Sequence, residues 1–380
     1  MPISKHVRRA AIAGVAALAA CAVAQPADAA VDATARVAPA FNGSVYAIAY
    51  RGSTVYVGGD FTNTIVGGRS VARERLAAFD SRTGALLDWK PRADDTVRAL
   101  AVSGSSVYAA GDFDHVSGKV RDSLARIDAD SGAVGSFAHG IEGRPRALAV
   151  GNGRLYVGGT ISHVDRHERE RLAAFSLADG DLDEVWTPTV DDTVNALAYR
   201  DSKVFVGGSF HRTDDVRSTP RLSAVDATGG ELVTSFRPTP PAVVHAIAAD
   251  GNRVYAAMGG PGGRAAAYDS SGHTRWMRTF DGDAQAIAVL DGTAYVGGHF
   301  DRACTSGSTG AHGTCTGDSV SRVKLAAVRD DGSLARWAPQ ANGVVGVRTI
   351  TVDQVHRTVA AGGDFTTIGG RSQRRFAAFG

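Results

Sequence analysis

Seven polar side chains recur at one position of a repeated pentapeptide. They are Tyr46 in Val45-Tyr-Ala-Ile-Ala, Arg98 in Val97-Arg-Ala-Leu-Ala, Arg146 in Pro145-Arg-Ala-Leu-Ala, Asn195 in Val194-Asn-Ala-Leu-Ala, His245 in Val244-His-Ala-Ile-Ala, Gln285 in Ala284-Gln-Ala-Ile-Ala and Arg348 in Val347-Arg-Thr-Ile-Thr. The flanking positions stay small or apolar, so the second residue is where the copies differ chemically. Three of the seven are arginine. A guanidinium binds carboxylate, sulfate or phosphate through paired N–H donors, and a concave, poorly solvated setting strengthens that attraction. His245 and Tyr46 would be the acid/base pair if the same residues turned a substrate over. The competing reading is that these side chains only line a wet channel and bond to nearby acidic loops carrying Asp94, Asp95, Asp191, Asp192, Asp281 and Asp283.

A second recurring group is the acid after a glycine pair: Asp60, Asp112 and Asp364, with Ser209 and His299 as substitutes. Repetition at one place in every copy spreads such residues out, which argues for loop capping or pairing with an arginine such as Arg75 or Arg375. His163 and His167 are separated by a helical ligand spacing but lie in a segment with no helical period, so that spacing has no meaning there. No Gly-x-Ser-x-Gly elbow and no phosphate-binding glycine loop stands between a strand and a helix. Excluding Cys21 in the leader, Cys304 and Cys315 form an even pair and are expected to be a disulfide stiffening an insertion. Only His312 lies near them, too few ligands for zinc. No catalytic residue, metal or cofactor is assigned.

The elements that must position these residues follow from the repeat. Units begin near 45, 97, 145, 194, 244, 284 and 347, a period near 50 except for one short and one long step. In the first unit Val45–Tyr50 is apolar on both faces, Thr54–Gly59 is β-branched and aromatic, Asp60–Glu74 is polar and loop-like, Arg75–Phe79 is a third strand and Leu86–Lys90 a fourth. Four short strands per period with Gly and Asp turns predict an all-β, seven-bladed β-propeller. The last unit stops at Arg375-Phe-Ala-Ala-Phe379, one strand short. Val37-Ala38-Pro39 precedes Val45 as Trp89-Lys90-Pro91 precedes Val97, so residues 35–41 are expected to supply the missing strand and close the ring.

The unit "strand, Val57-Gly-Gly-Asp-Phe61, variable loop, Arg75-Leu-Ala-Ala-Phe79, Asp80-x-x-Thr-Gly84, Trp89-x-Pro91" resembles the delta-60 repeat of bacterial secreted propellers, a family without defined function. Ala110-Gly-Asp-Phe113, Val206-Gly-Gly-Ser-Phe210, Val296-Gly-Gly-His-Phe300, Ala361-Gly-Gly-Asp-Phe365, Arg171-Leu-Ala-Ala-Phe175 and Arg221-Leu-Ser-Ala-Val225 repeat it. The third unit departs at Thr160-Ile161, and the fifth has Met258-Gly-Gly-Pro-Gly-Gly263. The resemblance spans about residues 35–380 and implies a fold but no catalytic residues. The Asp80 turn with Trp89 also looks like the docking turns of PQQ-like quinoprotein propellers. Those enzymes carry adjacent cysteines over the quinone, and this chain has none.

Residues 1–29 read as a secretory signal: Lys5, Arg8 and Arg9, then an apolar run from Ala10 to Ala24, then Pro26-Ala27-Asp28-Ala29. That run is too short to span a membrane. Leu18-Ala-Ala-Cys21 is the alternative, a lipid anchor on Cys21. Residues 30–380 then form one domain. With 41 Lys and Arg against 39 Asp and Glu, loss of the leader leaves formal neutrality, which excludes nucleic acid as a general partner. The expectation is a monomeric, extracellular binding module, not an enzyme, that takes a glycan, an anionic small molecule or a cell-surface protein at the channel face. The alternatives are a lyase or hydrolase of anionic glycans, and a structural envelope protein.

Overall fold

The computed structural model describes residues 1 and 31–380. The proposed signal, its cleavage site and Cys21 lie outside the described residues. Among the described residues every regular element is a β-strand, and no helix is long and apolar enough to cross a membrane.

Seven sheets repeat one plan. In the first, Val45–Arg51 pairs antiparallel with Thr54–Gly59, which pairs antiparallel with Leu76–Asp80. The tight return at Gly52 has φ 56°, a conformation glycine adopts without the cost of a Cβ. The other inner strands are Val97–Ser103, Pro145–Gly151, Val194–Arg200, Val244–Asp250, Ala284–Leu290 and Val347–Asp353. Neighbouring sheets approach closely. A Cβ on Gly58 would stand 2.6 Å from Val97 Cγ1 in the next sheet, and one on Gly362 would stand 2.5 Å from Val45 Cγ1, so the last sheet lies against the first. The core is distributed between sheets: Tyr56, Leu76 and Trp89 of the first bury against Val107, Ala109 and Ile127 of the second.

Two expectations are corrected. The fourth strand of a typical unit shrinks to a single bridge, such as Phe79 to Leu86 or Phe175 to Leu182. The chain then leaves the sheet edge because its tryptophan turns into the gap between sheets. Trp89 Nε1 donates to the Asp128 carbonyl at 2.9 Å, Trp186 Nε1 to the Asp226 carbonyl at 2.9 Å, and a following proline cannot donate to a ladder. Among the described residues only the fifth sheet has a long fourth strand, Thr274–Phe280. The segment Asp60–Glu74, expected as a loop, contains a hairpin of Asn63–Val66 and Arg69–Ala72. Similar hairpins recur, and the chain entering a unit pairs with that unit's hairpin, as Ala40 does with Ile65 and Ile141 with Val164. His163 and His167 are the two arms of one such hairpin.

In four units an arginine three residues before the third strand fastens the hairpin, while Thr219 and Gln373 take that place in the fourth and seventh. Arg73 donates to the carbonyls of Ala72 and Leu87, and Arg169 to those of Glu168 and Asp183 at 2.7 and 3.2 Å. Arg121 bonds the Val120 and Gly135 carbonyls, and Arg322 those of Ser321 and Ala335. Burial lowers the pKa of all four from the ordinary arginine value.

The N-terminal segment runs beside the last strand. Arg36 N donates to the Ala378 carbonyl at 2.7 Å, the acceptor position that Leu87 uses on Ala78, Val233 on Ala224 and Ala335 on Ala327. Trp337 Nε1 reaches the Asp32 carbonyl at 3.1 Å, and Val31, Ala33 and Ala35 pack with Val359, Ala361 and Phe379.

Candidate functional site

Each inner strand begins with an irregularity in the same place. In the first sheet Val45 faces Gly59 and Ala47 faces Gly58, so Tyr46 has no partner of its own. The same break falls between Val97 and Ala99, Pro145 and Ala147, Val194 and Ala196, Val244 and Ala246, Ala284 and Ala286, and Val347 and Thr349. The bulged residues are therefore Tyr46, Arg98, Arg146, Asn195, His245, Gln285 and Arg348. A bulge re-aims a side chain, and here it aims all seven into one cavity of about 260 Å³. Two residues further along each inner strand the lining turns apolar: Ile48, Leu100, Leu148, Leu197, Ile247, Ile287 and Ile350.

The seven positions divide into two arcs. Following the chain from the last sheet into the first, Arg348, Tyr46, Arg98 and Arg146 are consecutive. Guanidiniums from both neighbouring sheets lie over the Tyr46 ring, with Arg348 Cζ 5.1 Å and Arg98 Cζ 5.8 Å from its centroid, within cation–π range. Burial raises the Tyr46 pKa, and its hydroxyl donates to Asp60 at 3.2 Å. Arg98 is held by Asp112, with Nε 2.8–2.9 Å from both carboxylate oxygens, and that bond raises its pKa. Among the described residues no carboxylate pairs with Arg146 or Arg348. The Nε of Arg348 is buried without a hydrogen-bond partner.

The remaining arc is neutral. Asn195 donates to the Val244 carbonyl at 3.1 Å, and burial depresses the His245 pKa, against a smaller opposing pull from Asp283. His245 and Tyr46 share no hydrogen bond, so the expected acid/base pair is not assembled.

The recurring acids are not partners of Arg75 or Arg375. Those two side chains bond backbone carbonyls of Phe61 and Asp364. The carboxylates instead secure the bulge: Asp60 accepts from Ser44 N at 2.5 Å and Asp364 from Gly346 N at 2.5 Å. Two of them, Asp60 and Asp112, also touch bulged residues, which their even spacing along the chain did not suggest. The Asp-rich loops do not serve the cavity residues by hydrogen bonds. Asp94, Asp191 and Asp281 cap amides of the hairpins, while Asp95 and Asp192 cap the threonine that follows each.

In the fifth sheet the acid's place is taken by Gly259, whose N bonds the Val243 carbonyl at 3.1 Å as Asp60 N bonds Ser44. A Cβ there would stand 2.5 Å from His245 Nε2, so the missing side chain gives the imidazole its room. The fifth unit also lacks a hairpin, and the insertion of the sixth covers the gap. Cys304 and Cys315 form a disulfide, and between them Thr309 Oγ1 donates to the Pro261 carbonyl at 2.5 Å. The insertion thus lies on the short fifth loop, explaining the adjacent short and long repeat steps. His163 and His167 face Glu142 and Glu184 separately, at 3.0 and 3.5 Å. Among the described residues no group of three or more His, Cys, Asp or Glu could hold a metal ion.

Comparison with known proteins bears on the fold. A family model described as outer membrane protein assembly factor BamB, of the PQQ_2 repeat type, matches residues 218–363, less than half of the chain. The structure is similar to the WD40 β-propeller domain of Doa1, with 11% identity, TM-score 0.57 and coverage of 92% of this chain and 95% of that one. It is also similar to the RRP9 WD40 repeats, with 12% identity, TM-score 0.62 and coverage of 92% and 98%. No curated protein matches the sequence. The chain is an all-β propeller in which residues 218–363 match a PQQ-like repeat model, and at these identities the likeness to solved structures speaks for fold and not for ligand.

Proposed function

We propose that the chain is an exported binding module: a seven-bladed propeller of the delta-60 type, closed by residues 35–41, that takes an anionic ligand at the mouth of its central channel. The observation that carries this reading is that seven separate bulges turn seven polar side chains into one cavity, and two of its three arginines have no carboxylate partner. Arg348 is partly buried with its Nε unpartnered, a desolvation cost that a bound anion would offset, and Arg146 stands exposed on the same cavity. The hydrogen bond from Arg36 to Ala378 and the contact of Val45 with Gly362 support closure. The disulfide suits an oxidising compartment outside the cytoplasm. A binding role is favoured over a lyase or hydrolase because the Tyr46 hydroxyl is engaged by Asp60 and not by His245.

Thermal denaturation with sulfate, phosphate, acetate and sugar acids tests the reading. The expected result is a saturable rise in Tm with at least one anion, lost in the Arg146→Ala/Arg348→Ala variant. Arg98→Ala is a poorer probe, because it strips Asp112 of its partner. No rise with any anion would shift the role to a protein partner or to the envelope.

A further inference from the structure

We infer that the ligand is a sugar acid of about one ring, bound by its carboxylate on the Arg348–Tyr46–Arg98–Arg146 arc and by its hydroxyls on Asn195, His245 and Gln285. This rests on the proposed anion site and adds what the rest of the ligand must be. Two asymmetries bear on where each part of the ligand would sit. The first is in the bulged residues: all three guanidiniums fall in consecutive units, and the three uncharged polar groups fill the other side.

The second is at the acid's position one turn away. Where the guanidiniums stand it reads Asp364, Asp60, Asp112 and Thr160; opposite, it reads Ser209, Gly259 and His299. Thr160 is the neutral member beside Arg146. Its hydroxyl accepts from Arg144 N at 3.0 Å, which leaves Arg146 free of a carboxylate. Asp112 is paired with Arg98, and Asp60 and Asp364 accept from Ser44 N, Tyr46 and Gly346 N, so Arg146 and Arg348 remain without an ion-pair partner and can take one anion.

On the far side the groups are donors and acceptors without charge. The Gln285 amide makes no hydrogen bond within the chain among the described residues, and His245 has space because Gly259 lacks a side chain. Asp283 stands next to His245 and would repel a second negative group there. An anion at one end and neutral hydroxyls at the other satisfy this division; a ligand with a second carboxylate at its far end would set that charge against Asp283. The size agrees, because about 260 Å³ is below the ~300–1,000 Å³ of pockets for drug-sized ligands. The ring of leucine and isoleucine past the polar layer offers a surface to the C–H face of a sugar.

Isothermal titration of the whole protein with glucuronate, glucose and acetate separates the parts. Glucuronate should bind at least roughly 10-fold more tightly than either glucose or acetate, since each half adds hydrogen bonds, the charged ones being stronger. Arg146→Gln should remove the advantage of glucuronate over glucose. Asn195→Ala/Gln285→Ala should remove its advantage over acetate, and circular dichroism confirms that both variants fold. If acetate and glucuronate bind equally, the anion site stands and the sugar-acid inference is overturned. If glucose and glucuronate bind equally, or if none of the three binds, both the inference and the anion site it rests on are overturned.

Discussion

Arg169 and Arg146 bring the same guanidinium to opposite situations. Arg169 sits at the outer edge of its unit, 7% exposed, with its N–H groups spent on the carbonyls of Glu168 and Asp183. Arg146 sits on a bulge at the cavity, exposed, with no carboxylate or hydrogen-bond partner among the described residues. The outer arginine neutralises nothing; it satisfies backbone acceptors that would otherwise be buried unpaired. The cavity arginine holds no part of the fold together. One side chain type thus serves cohesion at the edge and, on the proposed reading, recognition at the mouth, and the partners of the guanidinium distinguish the two.

Changes at the edge should therefore act on stability. The largest effect is expected from deleting residues 31–41, which removes the Arg36–Ala378 and Trp337–Asp32 bonds and the fully buried Phe41. The melting temperature should fall by about 10 °C or more, and the bared strand edge should promote aggregation; an unchanged melt would remove the basis for closure. Next is Arg169→Ala, which leaves two carbonyls unpaired and should cost about 2–3 kcal/mol in urea denaturation. A loss under about 0.5 kcal/mol would mean that water replaces the guanidinium. Cys304→Ser/Cys315→Ser opens a loop of sequence separation 11 and should cost about 2 kcal/mol, less if the insertion's contacts with Pro261 hold it in place.

The smallest effect concerns His245. Burial sets its folded pKa below the ordinary 6.5, so the unfolded chain takes up the proton first. Its contribution is constant above about pH 6.5 and turns unfavourable as pH falls below that. Asp283 opposes the shift, and Arg98, Arg146 and Arg348 share the cavity. Between about pH 7.5 and pH 5 the urea midpoint should fall less in His245→Gln than in the parent; identical profiles would show that the imidazole is solvated.

The same division explains what could be read in the chain. The repeat, the inner strands and the place of the seven variable residues were legible because apolar alternation broken by one polar position survives in every copy. The bulge was not, since register depends on the opposing strand: a Cβ on Gly59 would collide with the Ser44 carbonyl, and nothing local announces that. The outer arginines do carry a sequence signal, the three-residue spacing of Arg73, Arg121, Arg169 and Arg322 before Leu76, Leu124, Leu172 and Leu325. The fourth strand was overread because Leu86–Lys90 has strand composition while its tryptophan is drawn between sheets. For the acids, the expected capping of loop amides is seen at Asp60 and Asp364, but the arginine partner is Arg98 on Asp112 rather than Arg75 or Arg375, a contact across the strand pair that is invisible to sequence distance.

The contrast between edge and mouth is tested most directly by one pair of melting curves. Arg146→Ala/Arg348→Ala and Arg169→Ala are each heated with and without saturating glucuronate. The expected result is that the first variant melts within about 2 °C of the parent and shows no ligand-induced rise, while the second melts lower and keeps the rise. A destabilised mouth variant that still responds to glucuronate would contradict the assignment of recognition to the mouth.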